Sequence, residues 1–533
     1  MKPLSPHWAD TTAVRVIAQR GDKEEYVVAS GITPSGMVHI GNFREVITVD
    51  LVARALRKLG KKVRFIYSWD NFDTFRKVPE NLPDPKKFEP YLRKPIARIP
   101  DPWEETESYS SGRIALFEEE LKRVWMDPEY LYQESLYSQG TYAGHIRHVL
   151  ESVDKVRAVL NQSRTTPLSE DWLPTSCYCS KCEKDEMHEQ RYEGEWNYSY
   201  HCASCDHKET FDIRTSRHIK LGWRLDWPMR WHHEKVDFEP GGKDHSSQGG
   251  SYDTGAELIK TLWEEAAPVY QQYDFVMMKG VGGKMSSSTG RLYTLSEILS
   301  VYQPQIVRWI FAQHRPNHDF SLSFDEDVIK IYDEFDRSEK NAWEQDSTQK
   351  KWAVNRRNWE LSLDDNAELP QERVYRAPFR ELMDRLQTFE GDIEQTIERF
   401  YKNEIKTEAD RQEFYQRSQC ILHWLEHWAG EQFRFQVRKN AADLVVDDLE
   451  AQALKGLVRM IQNPGFHLED FSTKELNEHI WQAAIHDVGC DAKKAFRVIY
   501  LALIQREKGP RLPAFLQQIG KDRLLEILAP WNE

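Results

Sequence analysis

Two glycine- and hydroxyl-rich segments of this chain have the composition of loops that hold phosphate groups. The first, GITPSGMVHIGN, covers Gly31–Asn42, and the second, GVGGKMSSSTG, covers Gly280–Gly290. Glycines allow a ligand to approach the backbone closely, and hydroxyls donate hydrogen bonds to phosphate oxygens. We therefore expect the two segments to form the two halves of one nucleotide site.

The first segment lies in a predicted strand–loop–helix unit. Glu25–Ser30 is a short apolar run typical of a buried parallel strand, and apolar residues recur at helical spacing from Asn42 to Leu59. Because the first turn of a helix favours anions, we expect His39 to stabilise charge that develops on a phosphate. The predicted nucleotide contacts of this segment are Pro34, Ser35, Gly36, His39, Gly41 and Asn42.

The second segment brackets one cation with glycines and serines. We predict that Lys284 is a point charge for the terminal phosphates, which makes it, with His39, a catalytic candidate. A flexible surface loop is the alternative interpretation. The predicted nucleotide contacts here are Lys284, Met285, Ser286, Ser287 and Ser288.

Acidic and aromatic residues follow the next predicted strand, Lys62–Ser68, which ends just before Asp70 and Asp73. Ligands of doubly wound sheets bind at such strand ends. We expect the sheet to resume at Trp223–Trp231 and Tyr273–Met278, although tryptophans spaced four residues apart in the former also fit a helix.

Four cysteines form two CxxC pairs, Cys179 with Cys182 and Cys202 with Cys205. This spacing predicts a tetrahedral structural zinc site with all four positions filled by protein. Cys177 is a possible substitute ligand. The weaker alternatives are His188, His201 and His207.

The two loops resemble the HIGH and KMSKS signatures of class I aminoacyl-tRNA synthetases. Asn42 replaces the last histidine of the first signature, and Ser287 replaces the second lysine of the other. Further segments resemble the class I lysyl-tRNA synthetases over nearly the whole chain. These segments are HWAD at His7–Asp10, WDNFDTFRKVP at Trp69–Pro79, GWRLDWPMRW at Gly222–Trp231 and FEPGGKDH at Phe238–His245.

The resemblance implies an ATP- and Mg²⁺-dependent ligase that activates L-lysine as an adenylate and transfers it to tRNA(Lys). The side chain of lysine needs a carboxylate for its ammonium and apolar walls for its stem. Which of Asp70, Asp73 and Asp244 is that acid stays open, and Arg224 and Arg230 keep a glutamate or glutamine pocket as an alternative. The predicted amino-acid contacts are Gly31, Thr33, Asp70, Asp73, Trp223, Asp244, His245 and Tyr273.

The expected fold is α/β, with a Rossmann-like doubly wound parallel sheet, a zinc-knuckle insertion and an all-α C-terminal anticodon-binding domain. The predicted bounds are 1–103 and 218–294 for the two halves of the catalytic domain, 104–217 for a connective insertion with the zinc module at 175–210, 295–375 for a helical stem and 376–533 for the anticodon-binding domain.

Composition restricts the remaining function classes. The chain is 40% hydrophobic and 30% charged, as in soluble globular proteins, and its apolar run Val498–Ile504 is too short to span a bilayer. The net charge of −14 argues against nonspecific DNA binding. We expect a monomer in the cytoplasm. A small nucleotidyltransferase and an inactive tRNA-binding paralogue are the alternatives from other classes.

Overall fold

The computed structural model describes residues 2–80, 82–247, 249–279, 292–344, 350–365 and 367–532. The chain forms two compact units. The first comprises Met1–Leu299, Pro304–Leu322 and Arg337–Leu369, and the second comprises Ser300–Gln303, Ser323–Asp336 and Pro370–Glu533. Among the described residues, no helix has the length and apolar character needed to cross a membrane.

The strands of the described residues all lie before position 323. They are β1 (Glu25–Ile32), β2 (Lys62–Trp69), β3 (Glu129–Tyr132), β4 (Thr175–Cys177), β5 (Met187–Gly194), β6 (Asn197–Cys202), β7 (Lys208–Asp212), β8 (Ile219–Leu221), β9 (Phe238–Gly242), β10 (Val269–Tyr273), β11 (Val276–Met278) and β12 (Phe320–Leu322).

Helices account for most of the remaining regular structure. They are α1 (Trp8–Arg20), α2 (Ile40–Lys58), α3 (Pro85–Phe88), α4 (Tyr109–Arg123), α5 (Gln133–Ser138), α6 (Ala143–Glu151), α7 (Val153–Asn161), α8 (Trp223–Glu234), α9 (Ser251–Trp263), α10 (Leu295–Val301), α11 (Pro304–Gln313), α12 (Asp327–Trp343), α13 (Lys350–Ser362), α14 (Phe379–Thr388), α15 (Ile393–Thr396), α16 (Glu408–His427), α17 (Asp448–Gln462), α18 (Thr473–Trp481), α19 (Ala492–Ile504), α20 (Leu512–Ile519) and α21 (Lys521–Ile527).

A five-stranded parallel sheet is the centre of the first unit. Its strand order is β10-β9-β1-β2-β3. Strands β2 and β3 therefore lie on one side of β1, and the later strands β9 and β10 lie on the other. This order is that of a doubly wound sheet, whose reversal point lies between β1 and β9. The predicted Rossmann-like parallel sheet is confirmed.

The pairing of β1 with β2 brings two polar loops to one edge of the sheet. The strands are in register from Glu25↔Lys62 to Ile32↔Trp69. Position 31 has to be glycine, because a Cβ atom there would lie 2.7 Å from the Ser68 carbonyl oxygen. The predicted strands and the helix between them are confirmed, with α2 starting two residues earlier than Asn42.

The prediction that the sheet resumes at Trp223–Trp231 is wrong, since these residues lie in helix α8. The four-residue spacing of tryptophans places Trp227 and Trp231 on one buried face, where their ring centroids are 4.7 Å apart. The predicted strand Tyr273–Met278 is interrupted, because Tyr273 ends β10 and Val276–Met278 forms β11 beside β12.

The segment between β3 and β9 carries two small antiparallel sheets. Strands β5, β6 and β7 form one, and the short pair β4 and β8 forms the other. In the second unit, the described residues after Pro370 form helices, and the helices from α17 to α21 share an apolar core that includes Leu457, Val498 and Phe515.

A buried ion network fastens α2 to later helices of the first unit. Arg308 on α11 is fully buried, with a nitrogen 2.6 Å from Asp50 Oδ2 and N–H groups that donate to the Leu361 and Val124 carbonyls. Arg54 also pairs with Asp50, at 2.9 Å. Although burial opposes ionisation, these two cations hold the pKa of Asp50 below its usual value.

Removing this buried guanidinium should destabilise the first unit strongly. We expect Arg308→Met to lower the free energy of unfolding by about 3–5 kcal/mol, because it leaves two buried carbonyls without their donor and Asp50 with only one of its two cations. The control Arg57→Met removes an exposed pair from α2 and should cost about 0–1 kcal/mol. Urea denaturation followed by circular dichroism at neutral pH measures both values. Equal losses in the two variants would contradict the assignment.

Candidate functional site

A cavity of about 600 Å³ opens at the carboxyl ends of β1, β2 and β9, where doubly wound sheets bind ligands. It brings together most of the residues that the sequence predicts for the nucleotide and the amino acid. Those in the cavity wall are Gly31, Thr33, Ser35, Gly36, His39, Gly41, Asn42, Asp70, Asp73, Trp223, His245 and Tyr273.

Two further predicted residues, Pro34 and Asp244, adjoin residues of this wall in the chain. Pro34 is buried in the turn beside it. Asp244 lies in the single turn Lys243–His245 that follows β9. The predicted contacts Lys284, Met285, Ser286, Ser287 and Ser288 lie outside the described residues.

His39 is the N-cap of helix α2, and this position determines which of its nitrogens carries the proton. Its Nδ1 accepts the Gly41 N–H at 3.1 Å, and Asn42 Oδ1 accepts the His39 N–H at 3.1 Å. In the neutral ring the proton therefore sits on Nε2. The arrangement gives the cavity an N–H donor beside the positive end of a helix, which suits a phosphate oxygen. It also gives Asn42 a capping role.

Two of the cavity acids already have cations as partners. The Asp70 carboxylate lies 2.7 Å from an Arg230 nitrogen, and Arg230 also pairs with Asp226 at 3.2 Å. Asp73 Oδ1 lies 2.6 Å from Lys220 Nζ, and its Oδ2 accepts a hydrogen bond from Thr33. Although burial opposes ionisation, the Lys220 ammonium holds the pKa of Asp73 below its usual value.

A third acid in the cavity wall, Glu45 on α2, is absent from the sequence prediction. Its carboxylate accepts hydrogen bonds from Ser30 Oγ, the Gly31 N–H and the Tyr273 hydroxyl, at 2.9, 3.2 and 2.6 Å. Burial raises the pKa of Glu45 in spite of these donors. Among the described residues no cation pairs with it, so it has the strongest need of an ammonium group from a ligand.

The ionisable groups at this end of the cavity carry an excess of negative charge. Among the described residues they are the carboxylates of Glu45, Asp70, Asp73 and Asp226 and the cations of Lys220, Arg230 and Arg76. With all of these described groups ionised, four negative charges face three positive ones and leave one in excess. The site therefore favours a ligand with a side-chain ammonium group over one with a side-chain carboxylate.

Trp223, Arg224 and Arg230 help to decide whether the cavity binds a lysine side chain or that of glutamate or glutamine. Trp223 stacks on Trp227 at 5.4 Å, the Arg230 guanidinium lies 5.6 Å from its ring centroid, and 38% of the residue is exposed, so part of the indole is accessible to a ligand. Arg230 is committed to the acids, and Arg224 donates to Thr254 Oγ1 outside the cavity wall. Neither arginine is placed to receive the carboxylate of a glutamate side chain.

The predicted cysteine quartet is assembled. Among the described residues, Cys179, Cys182, Cys202 and Cys205 form a group whose sulfurs lie within 4.8 Å of one another. Two of the separations are 3.5 and 3.6 Å, near the edge of about 3.8 Å that a tetrahedral Zn–S₄ centre requires. The quartet fits a tetrahedral metal. Cys177 and the three histidines considered above are not members of it.

The family model described as tRNA synthetases class I (K) matches residues 6–365. A lysine–tRNA ligase of Borreliella burgdorferi is 40% identical over 98% of this chain and 99% of its own length. Lysine–tRNA ligases of Treponema pallidum and Thermococcus kodakarensis are 39% and 38% identical, over 98% of this chain and 98% and 99% of their own lengths.

Several solved structures are also similar to this chain. One of them is a glutamate tRNA ligase from Elizabethkingia meningosepticum in complex with its amino acid. It is 12% identical, with a TM-score of 0.43, and the match covers 96% of this chain and 99% of that one.

The raised pKa of Glu45 predicts a pH-dependent cost to stability. When the pKa of a carboxyl is higher in the folded state than in the unfolded state, the folded chain becomes less stable as pH rises from the unfolded-state pKa towards the folded-state pKa. We expect Glu45→Gln to be more stable than the unsubstituted chain by about 0.5–2 kcal/mol at pH 7. The difference should vanish on acidification below the unfolded pKa. Thermal unfolding between pH 4 and 8 without ligand measures it, and a variant less stable at pH 7 would contradict the prediction.

Proposed function

We propose that this chain, which belongs to the class I tRNA synthetases (K), is a lysine–tRNA ligase. It uses ATP to form lysyl-adenylate and transfers the lysyl group to the terminal adenosine of tRNA(Lys). The observation that carries the proposal is the net negative charge of the described groups around the cavity, since L-lysine has two ammonium groups and one carboxylate and is a net cation. Sequence identities of 40% and 38% to lysine–tRNA ligases, over 98% of this chain, support it.

In the first step the lysine carboxylate attacks the α-phosphorus of ATP and pyrophosphate leaves. No protein nucleophile is needed, so rate enhancement comes from positioning and charge stabilisation. His39 donates from Nε2 to an α-phosphate oxygen as negative charge grows there, and the first turn of α2 adds its backbone donors. Lys284 holds the departing pyrophosphate. Mg²⁺ bound to ATP supplies further positive charge.

We assign the ε-ammonium of lysine to Glu45. This acid has only neutral donors among the described residues, and it lies beside Tyr273, which the sequence predicts as an amino-acid contact. Trp223 covers the aliphatic stem. Thr33 and Gly31 hold the α-amino end, beside the carboxylates of Asp70 and Asp73.

A second cleft beside the cavity suits the 3′ end of the tRNA. It has a volume of about 360 Å³, shares Ser176, Gly222 and Trp223 with the cavity, and is also lined by Arg164 and Trp172. Indole rings and guanidinium groups are the means by which proteins hold single-stranded nucleotides. We place the terminal adenosine here, within reach of the adenylate.

The remaining assignments follow the domain predictions. Residues 376–533, whose described part is helical, bind the anticodon, and the cysteine quartet in the 104–217 insertion holds a structural zinc ion. Zinc would supply the cross-link that a small, polar module lacks in its own core. We expect the enzyme to act as a monomer in the cytoplasm.

Aminoacylation of tRNA(Lys) with each of the twenty amino acids, together with tRNA-stimulated pyrophosphate exchange, tests the proposed function. Lysine should be the only amino acid charged efficiently. Charging of glutamate instead of lysine would refute the specificity. Absence of exchange with every amino acid would refute the enzymatic activity.

The assignment of Glu45 predicts a selective loss of affinity. We expect Glu45→Gln to raise the KM for lysine about 10- to 100-fold, because it removes a charged hydrogen bond to the ammonium. The control is Glu239→Gln, since Glu239 is also a buried acid, bonded to the indoles of Trp227 and Trp231 outside the cavity wall. Steady-state kinetics should leave the control within about twofold of the unsubstituted enzyme. A similar rise in both variants would refute the assignment.

The metal proposal is tested by elemental analysis of the purified chain. One zinc ion per chain is expected. Cys202→Ser should lose it, because it removes a member of the quartet, whereas Cys177→Ser should retain it. The converse pattern would move the site to Cys177.

A further inference from the structure

The first cysteine pair is joined directly to the wall of the amino-acid cavity. Tyr178 precedes Cys179 in the chain, is fully buried, and lines the cavity together with Ser176. The strand that contains Ser176, β4, leads straight into the cysteine pair. The metal module and the cavity therefore share a continuous piece of backbone.

The Tyr178 hydroxyl contacts the residues on both sides of Asp73. It lies 3.0 Å from the Phe72 carbonyl oxygen and 2.8 Å from Thr74 Oγ1. Its ring packs on the Phe72 ring at a centroid distance of 5.2 Å. A single side chain of the module thus fixes the backbone that presents the Asp73 carboxylate to the cavity.

Asp185, three residues after Cys182, makes a second connection to the same loop. Its Oδ2 accepts a hydrogen bond from Thr74 Oγ1 at 2.9 Å. Its Oδ1 lies 2.7 Å from Arg93 Nε, and its backbone N–H donates to the Arg93 carbonyl. Both sides of the first cysteine pair are therefore attached to the loop at 72–74.

The cation that pairs with Asp73 also comes from this region. Lys220 lies on β8, directly opposite Ser176 of β4, and its buried ammonium reaches Asp73. A shift of β4 relative to the central sheet would move Lys220 and Tyr178 together. The charge balance of the cavity consequently depends on how the module is held.

We infer that the four-cysteine module positions the amino-acid site, so that metal binding at the cysteines and lysine binding in the cavity stabilise each other. Tyr178 and Asp185 are the positioning residues. This inference rests on the proposed function for the identity of the amino acid. Because coupling between two sites is reciprocal, bound lysine must raise the affinity for the metal by the factor by which the metal raises the affinity for lysine.

The reciprocity is measurable without catalysis. Zinc-loaded chain is equilibrated with a chromogenic chelator, with and without saturating L-lysine, and the zinc transferred is read by absorbance. We expect lysine to lower the apparent zinc dissociation constant about threefold to tenfold, a typical coupling between sites. L-Alanine is the matched ligand control, because it lacks the side-chain ammonium. An unchanged zinc dissociation constant while lysine binds would overturn the inference.

Variants identify the connection. Tyr178→Phe should raise both the dissociation constant and the KM for lysine about tenfold, while the KM for ATP and the zinc content stay constant. Tryptophan fluorescence measures the lysine dissociation constant. Tyr178→Phe should also abolish the effect of lysine on zinc affinity. Tyr198→Phe is the control, since Tyr198 is an equally buried tyrosine of the module whose hydroxyl bonds only Thr175 and Gln190 among the described residues.

If Tyr178→Phe fails to retain zinc, the same measurements are made on Asp185→Asn, for which the same changes in lysine binding are expected. Equal effects in the positioning variant and in Tyr198→Phe would overturn the inference. If instead the proposed function is wrong, the observation differs, because the unsubstituted chain would then not bind lysine at all.

Discussion

The close parallel pairing of β1 and β2 is the constraint on which the site depends. The strands approach so tightly at their ends that Gly31 has no room for a Cβ atom beside Ser68. In this register the loop with His39 and the loop with Asp70 leave the sheet side by side, and the Asp70 N–H bonds back to Ile32. Parallel strands require a crossover, so α2 necessarily lies over this edge. Its Glu45 thereby reaches the cavity.

Local patterns in the sequence were sufficient for the elements around the first loop. The apolar run of β1 and the helical spacing of α2 reflect burial on known faces, so both were predicted within two residues. The strand predicted at Trp223–Trp231 is wrong, because an apolar, aromatic run does not distinguish a buried strand from a buried helix. The four-residue spacing of the tryptophans was the signal that favoured a helix.

The charge pattern of the site was much harder to predict. Asp73 was identified from its place after a strand, but its partner Lys220 comes from a distant strand and has no local signal. Glu45 was missed since its role arises from Tyr273, far along the chain. A signal did exist, because Glu45 precedes Thr48 and Val49 by three and four residues on a face that is otherwise buried. An acid at such a position needs either a partner or a ligand.

The double use of His39 has a consequence for how such a chain changes over evolutionary time. The imidazole both closes the first turn of α2 and supplies the donor for phosphate. Asparagine and aspartate cap helices at least as well, yet neither offers an N–H at the Nε2 position as a neutral imidazole does. A single substitution at this position therefore separates fold from chemistry. A substitution of one codon can therefore give a well-folded but inactive descendant of such an enzyme, and a measurement of stability alone would not reveal the loss of activity.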